Sequence, residues 1–246
     1  MKKVMMKKPV MILAIILSAV LLVVASVMGT LAFLASSTAV SNTFTVGNVG
    51  IEMFETLTDK HGANIELDKT KKTSDGNSYE LIPGKSYIKD PTIYVKDSSV
   101  SSYLFVKVKN GIQTIEAEGN TMKSQMIANG WQLIKNNDSG EELYLYVGEG
   151  NATAEKKTAA VTAATIGGDN TQTSFDIFEN FTVKNNVDCS DYAGAKVTLT
   201  AFAIQVEGYT DGEGGAPIDG LYGYQRAWNA IVGRFPFESG TVYKAA

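Results

Sequence analysis

Two hydrophobic patterns divide the chain. The first 35 residues carry a long apolar run, from Pro9 and Val10 to about Leu34, and the remainder after residue 40 is written mainly in alternation. Leu104, Val106 and Val108 share one phase and Lys107 and Lys109 the other, while Tyr103 and Phe105 leave the lysine face only partly polar. A period of two with one mixed face predicts an antiparallel strand laid over a core. Residues 92–96 read as the strand before it. In Ser41–Glu55, Phe44 and Val46 share one phase, and Val49, Ile51 and Met53 share the opposite one. That switch near Gly47 predicts a bulge or bend. Trp131–Ile134 and Glu142–Val147 flank an Asn-Asn-Asp-Ser-Gly turn, with Leu143, Leu145 and Val147 expected to face the core and Tyr144 and Tyr146 expected opposite. Phe175, Ile177, Glu179, Phe181 and Val183 also alternate. Lys196–Glu207 has apolar groups in both phases, which predicts a central strand covered on both faces.

Helical spacing is rarer. Tyr224, Trp228 and Val232 recur every four residues, with Ile231 beside them, and predict a short helix packed on a sheet. Ile115, Met122, Met126 and Ile127 could form part of a second helical face, interrupted by Gly119 and Asn120. Residues 58–79 are polar, and 208–220 hold five glycines and three acids, so both read as loops. The sum is eight or nine strands and one or two short helices, without a strand–helix–strand rhythm or an internal repeat. A single all-β domain over residues 33–246, an antiparallel β-sandwich, is expected.

The apolar start changes the picture of where this domain works. Lys2, Lys3, Lys7 and Lys8 precede it, and no charge occurs between Lys8 and Glu52. A basic head, an apolar stretch and a small-residue exit form an export signal. Thr30 and Ala32 suit a peptidase pocket, so residues 1–32 are expected to be removed between Ala32 and Phe33, with a cut after Ala35 as second choice. The run is also long enough to span a bilayer, and a retained membrane anchor is the alternative. Either way the remainder lies outside the cytoplasm, and the membrane is met only through this segment.

Composition then narrows the function. The 246 residues are 44% hydrophobic and 20% charged, ordinary globular values that exclude a wholly disordered chain. Taking the four leading lysines from the 22 basic residues leaves 18 against 26 acidic ones, a balance unsuited to nucleic acid. The one histidine, His61, stands in a polar loop, and the one cysteine, Cys189, lies in a polar stretch and reads as a free thiol. Closed zinc motifs, a nucleophile elbow and phosphate-loop signatures are missing. Neither a catalytic residue nor a cofactor is therefore expected. Asp211, Glu213 and Asp219 supply oxygens on a glycine-rich loop that could hold calcium, although their spacing does not follow the twelve-residue calcium loop and a solvated loop is the simpler reading.

Several motifs together resemble one family. Gly29-Thr30-Leu31-Ala32-Phe33 followed by Asn42-Thr43-Phe44-Thr45-Val46-Gly47-Asn48-Val49 is similar to the signal and first strand of the TasA/camelysin proteins of Gram-positive bacteria. Leu81-Ile82-Pro83-Gly84, Ile93-Tyr94-Val95-Lys96 and Tyr103-Leu104-Phe105-Val106-Lys107-Val108 resemble the family's Pro-Gly turn and the strands after it. Trp131, with Tyr144 and Tyr146, looks like its middle segment. Ala201–Gly208 and Ala227-Trp228 look like its late strand and tryptophan helix. The resemblance is ordered over about 200 residues; the long Asn120–Asn151 and Gly208–Gly220 segments depart from it. It implies a jelly-roll-like sandwich, processing by a dedicated signal peptidase, and assembly into biofilm-matrix fibres in which the N-terminal segment of one subunit completes a sheet of the next. Camelysin was classified as a metalloprotease, but the chain has no His-Glu-X-X-His motif to carry that activity.

The expected function is thus an exported, non-enzymatic subunit of an extracellular matrix that associates with copies of itself or with homologous subunits. Strand addition would be its mechanism, with residues 33–53 exchangeable and Phe44, Val46, Val49 and Ile51 as donor side chains. The same four residues could equally form an ordinary first strand of their own subunit. A surface-displayed carbohydrate- or protein-binding module and an exported hydrolase are the rival readings.

Overall fold

A computed structural model describes residues 19–20, 35–39, 42–44, 49–63, 72–97, 99–157, 163–168, 171–233 and 236–238. Among the described residues after 34 it is mainly β, with antiparallel sheets and two short α-helices. The large sheet contains β1 (Ala35–Ala39), β2 (Asn42–Phe44), β7 (Ser102–Asn110), β8 (Trp131–Asn136), β9 (Glu141–Tyr146), β10 (Thr165–Ile166) and β13 (Val197–Gln205). Its order is β2-β1-β13-β7-β9-β8, with β10 paired to the start of β7. A second sheet runs in the order β11 (Ser174–Asp176), β6 (Thr92–Val95), β3 (Ile51–Thr56), β4 (Lys72–Thr73). A third pairs β12 (Asn180–Thr182) with β5 (Ser86–Ile88). The strands outnumber the expected eight or nine because some, such as β4 and β10, are two residues long and too short to carry alternation.

The main core lies on one face of the large sheet. Leu104, Val106, Leu199, Ala201, Tyr144 and Trp131 pack there with Ile51, Met53, Ile93, Phe175 and Phe181 from the smaller sheets. Helix α1 (Met122–Ala128) buries Met122 and Met126 in the same core. Its N-terminus is capped by Thr121, whose hydroxyl accepts from the Ser124 N–H at 3.1 Å. The opposite face of the large sheet is apolar as well. Phe105, Leu143, Leu145 and Ile204 meet helix α2 (Gly223–Ile231) through Tyr224, Ala227 and Trp228.

This second cover alters one expectation. Leu143, Leu145 and Val147 face the helix, and Tyr144 and Tyr146 face the main core, because both faces of β9 are buried. β13 is central, as its two apolar phases require: it runs in register against all of β7 and on its other side against β1. Leu133 stays in the main core and Ile134 joins the helix side, as alternation requires, and an irregularity after Leu133 sets Lys135 opposite Leu143.

Candidate functional site

The first candidate is the outer edge of β13. β1 pairs there antiparallel from Ala35 opposite Ile204 to Ala39 opposite Thr200, and β2 pairs onto β1 with Phe44 opposite Ser37. Five of the nine β13 residues are thus paired by β1; Val197, Thr198 and Leu199 extend beyond its last partner. Of the four donor candidates, Phe44 stands in β2, and Val46 lies outside the described residues. Val49 and Ile51 are buried in the molecule's own core, Ile51 at the head of β3 between β6 and β4. Of the export segment only residues 19–20 are described, in helical conformation; Ala32 and Phe33 lie outside the described residues. Among those described, no helix is long and apolar enough to cross a membrane.

A cleft of about 430 Å³ opens beside the start of β13, between Gly194–Thr198 and the loop Asp75–Tyr79. Lys89 and Asn77 line it. Behind them is a polar knot within the fold. Lys89 Nζ donates to Glu55 Oε2 at 2.7 Å, with the two side chains 8% and 4% exposed. Glu55 Oε1 accepts from the backbone N–H of Asn77 at 2.9 Å and from its Nδ2 at 2.8 Å. Asn77 Nδ2 also donates to the Thr56 carbonyl at 2.8 Å, and its Oδ1 accepts from the Thr58 N–H at 2.9 Å. Asp90 clamps the strand end, taking the Thr56 N–H at 2.7 Å and the Thr56 hydroxyl at 2.6 Å. Tyr79, Tyr87 and Phe181 form the apolar wall, with Tyr87 and Phe181 stacked at 4.8 Å. The alternation analysis missed this cluster, yet one signal was present: Glu55 continues the phase of Ile51 and Met53, so a carboxylate falls on the inward face of β3.

A second, smaller pocket of about 200 Å³ is lined by Glu116, Glu142, Tyr144 and Lys123. Glu116 is 3% exposed and accepts from the Met122 N–H at 2.6 Å and from the Asn110 side-chain amide. Burial pushes its carboxyl above the ordinary carboxylate range; those two hydrogen bonds oppose the shift and the charge of Glu142 adds to it. Between the ordinary and the raised value the folded state binds more protons than the unfolded one, so stability falls as pH rises through that window. Compared with Glu116→Gln, the native chain should therefore gain stability as pH drops from neutral and level off below the ordinary glutamate value. Urea unfolding of both proteins at several pH values checks this; a difference that does not change with pH would refute it.

The acidic loop does not bring its carboxylates together. Asp211 Oδ1 accepts from the Gly223 N–H at 2.6 Å and holds the start of α2. Glu213 begins a single turn of 3-10 helix, and Asp219 takes a positive φ of 53° at a turn. Among the described residues no group of three or more His, Cys, Asp or Glu side chains is placed to hold a metal ion. His61 sits in the Asp59–Ala63 turn, its backbone N–H bound to Asp59. Cys189 is a free thiol, half-buried against the main core. No protein-family model, curated protein or solved structure matches the chain.

Proposed function

We propose that the chain is an exported structural subunit of an extracellular matrix or fibre, akin to the TasA/camelysin proteins, with a jelly-roll-like sandwich that assembles by strand addition along β13. The observation that carries this reading is the pairing of β1 on the outer side of β13. Backbone pairing is indifferent to which copy supplies the strand, so a segment that closes its own sheet can close a neighbour's in the same register. Cleavage between Ala32 and Phe33 would leave two residues ahead of β1 and give it a free end. In this reading the donated segment ends before Val49. Phe44 and Val46 travel with it, and Val49 and Ile51 anchor it to its own core. The acidic charge balance disfavours contact with nucleic acid.

Sedimentation and electron microscopy of protein recovered after export test the proposal. The protein carrying residues 33–44 should form filaments or oligomers at high concentration. The same protein lacking 33–44 should stay folded and lose assembly. A parent that remains monomeric, or a deletion that assembles as well as its parent, would overturn the proposal, and monomers that bind a glycan would favour the binding-module reading.

A further inference from the structure

The knot beside the cleft has the parts of a self-modifying site. A buried amine, a carboxamide and a carboxylate that touches both are brought together from three separate elements. Lys89 follows β5, Asn77 lies in the loop after β4, and Glu55 is near the end of β3. One carboxylate holds the other two groups, with Oε2 on the lysine Nζ at 2.7 Å and Oε1 on the asparagine Nδ2 at 2.8 Å. The partners fix which way the carboxamide faces. Its oxygen must meet the Thr58 N–H, and its nitrogen must meet the Thr56 carbonyl and Glu55. The carbonyl that would be attacked is thus already polarised by a backbone donor at 2.9 Å, and the nitrogen that would leave already touches a proton carrier.

We propose that Lys89 and Asn77 join in an intramolecular isopeptide bond, formed autocatalytically with Glu55 as the proton shuttle. Nζ passes a proton to Glu55 Oε2 along their hydrogen bond, and its freed lone pair attacks Cγ of Asn77. The Thr58 N–H stabilises the oxygen as negative charge develops on Oδ1. The Cγ–Nδ2 bond then breaks. An ammonium Nζ starts with three protons. It keeps one in the new amide, and the other two reach Nδ2 through Glu55, so the leaving group departs as ammonium and Glu55 ends ionised as it began. Nothing is oxidised or reduced, and no co-reactant is consumed. The cleft lined by Asn77 and Lys89 is the exit for ammonium. Burial serves the chemistry in two ways. It removes the water that would otherwise solvate the amine and strengthens the polar contacts at the reacting atoms.

The product would close a covalent ring over residues 77–89 and tie the loop after β4 to the end of β5. For a protein outside the cell whose lone cysteine forms no disulfide, that is a cross-link independent of redox conditions. The inference stands apart from strand exchange, because every group in it belongs to one subunit.

A tryptic peptide map of the protein purified from cells expressing the full chain is the test. If the bond forms, trypsin cannot cut after Lys89, and residues 73–85 appear branched onto 86–96, lighter by one ammonia. The Glu55→Gln and Lys89→Arg variants should lose the branch and release 73–85 as a linear peptide. Linear 73–85, 86–89 and 90–96, with no branched peptide, as the products of this stretch of the native chain would overturn the proposal. So would an ammonia loss confined to linear 73–85, which marks cyclisation of Asn77 alone. The native map decides even if neither variant folds.

Discussion

Trp228→Ala should cost about 3–5 kcal/mol and release helix α2 before the rest of the fold. The indole is 1% exposed, and its ring centroid lies 5.1 Å from those of both Phe105 and Phe202. It is thus the largest side chain holding a nine-residue helix to the sheet. A helix that short has little stability of its own, so its persistence depends on docking. Alanine removes the indole from a site walled by two strands that cannot close in, because β7 and β13 are paired along their full length. The loss is then a transfer term plus a cavity term. Asp211 and the loop behind it would be freed as well, since Asp211 holds Gly223 and Arg226 donates to the Thr210 carbonyl. Urea unfolding gives the magnitude, and hydrogen exchange gives the location: amides of 209–232 should lose protection while Leu104, Val106 and Leu199 keep theirs. A loss below about 1 kcal/mol would show that the helix is not held by this residue.

Trp228 also shows what was legible in the sequence. Its spacing with Tyr224 named both the helix and its buried face, and the two-phase apolar pattern of 196–207 named the covered central strand. These are properties of single elements, which periodicity records. The partner of each face is a property of pairs. Leu143 and Tyr144 alternate correctly, yet only the stacking of helix on one side and small sheets on the other decides that the tyrosine face meets the main core. The segment Ile112–Asn129 resisted assignment because a 3-10 turn at Gln113–Ile115 and the seven-residue α1 are both shorter than the window in which helical spacing emerges.

The polar knot was harder to see for a different reason. Glu55 on the inward phase of β3 was visible, but its partners come from 22 and 34 residues further along the chain. Hydrogen-bond complementarity across a fold leaves no local pattern. A charged residue in register with Ile51 and Met53 is the one trace it leaves, because an ion on a buried phase must find its partners somewhere. The same logic weakens the acidic loop. Its three acids were close in sequence, yet proximity along a glycine-rich loop says nothing of convergence, and Asp211 is spent on a helix start.

Gly130→Ala is expected to cost above about 3 kcal/mol, although it adds no more than a side-chain carbon. Gly130 ends α1 at a φ of +87°, its N–H bonded to the Ile127 carbonyl at 3.1 Å and its own carbonyl taking the Val147 N–H at 2.8 Å. This is the left-handed exit that closes a helix, and an L-residue there carries a penalty of about 1–2 kcal/mol. The larger part is contact. A Cβ at this position would lie 2.4 Å from the carbonyl carbon of Gly148 and 2.6 Å from its oxygen, both backbone atoms that cannot rotate away. Relief would have to separate the end of α1 from the end of β9, and the next residue, Trp131, is fully buried with its indole N–H on the Asp176 carbonyl at 2.8 Å. Gly140→Ala is the matched control. Gly140 has a φ of +76° but nothing within 4 Å of the added carbon, so it should lose only the conformational part, about 1–2 kcal/mol. Thermal and urea unfolding of the two variants side by side separate strain from collision. Equal losses would mean that the approach of Gly130 to Gly148 is not the constraint that orders the junction between α1 and β8.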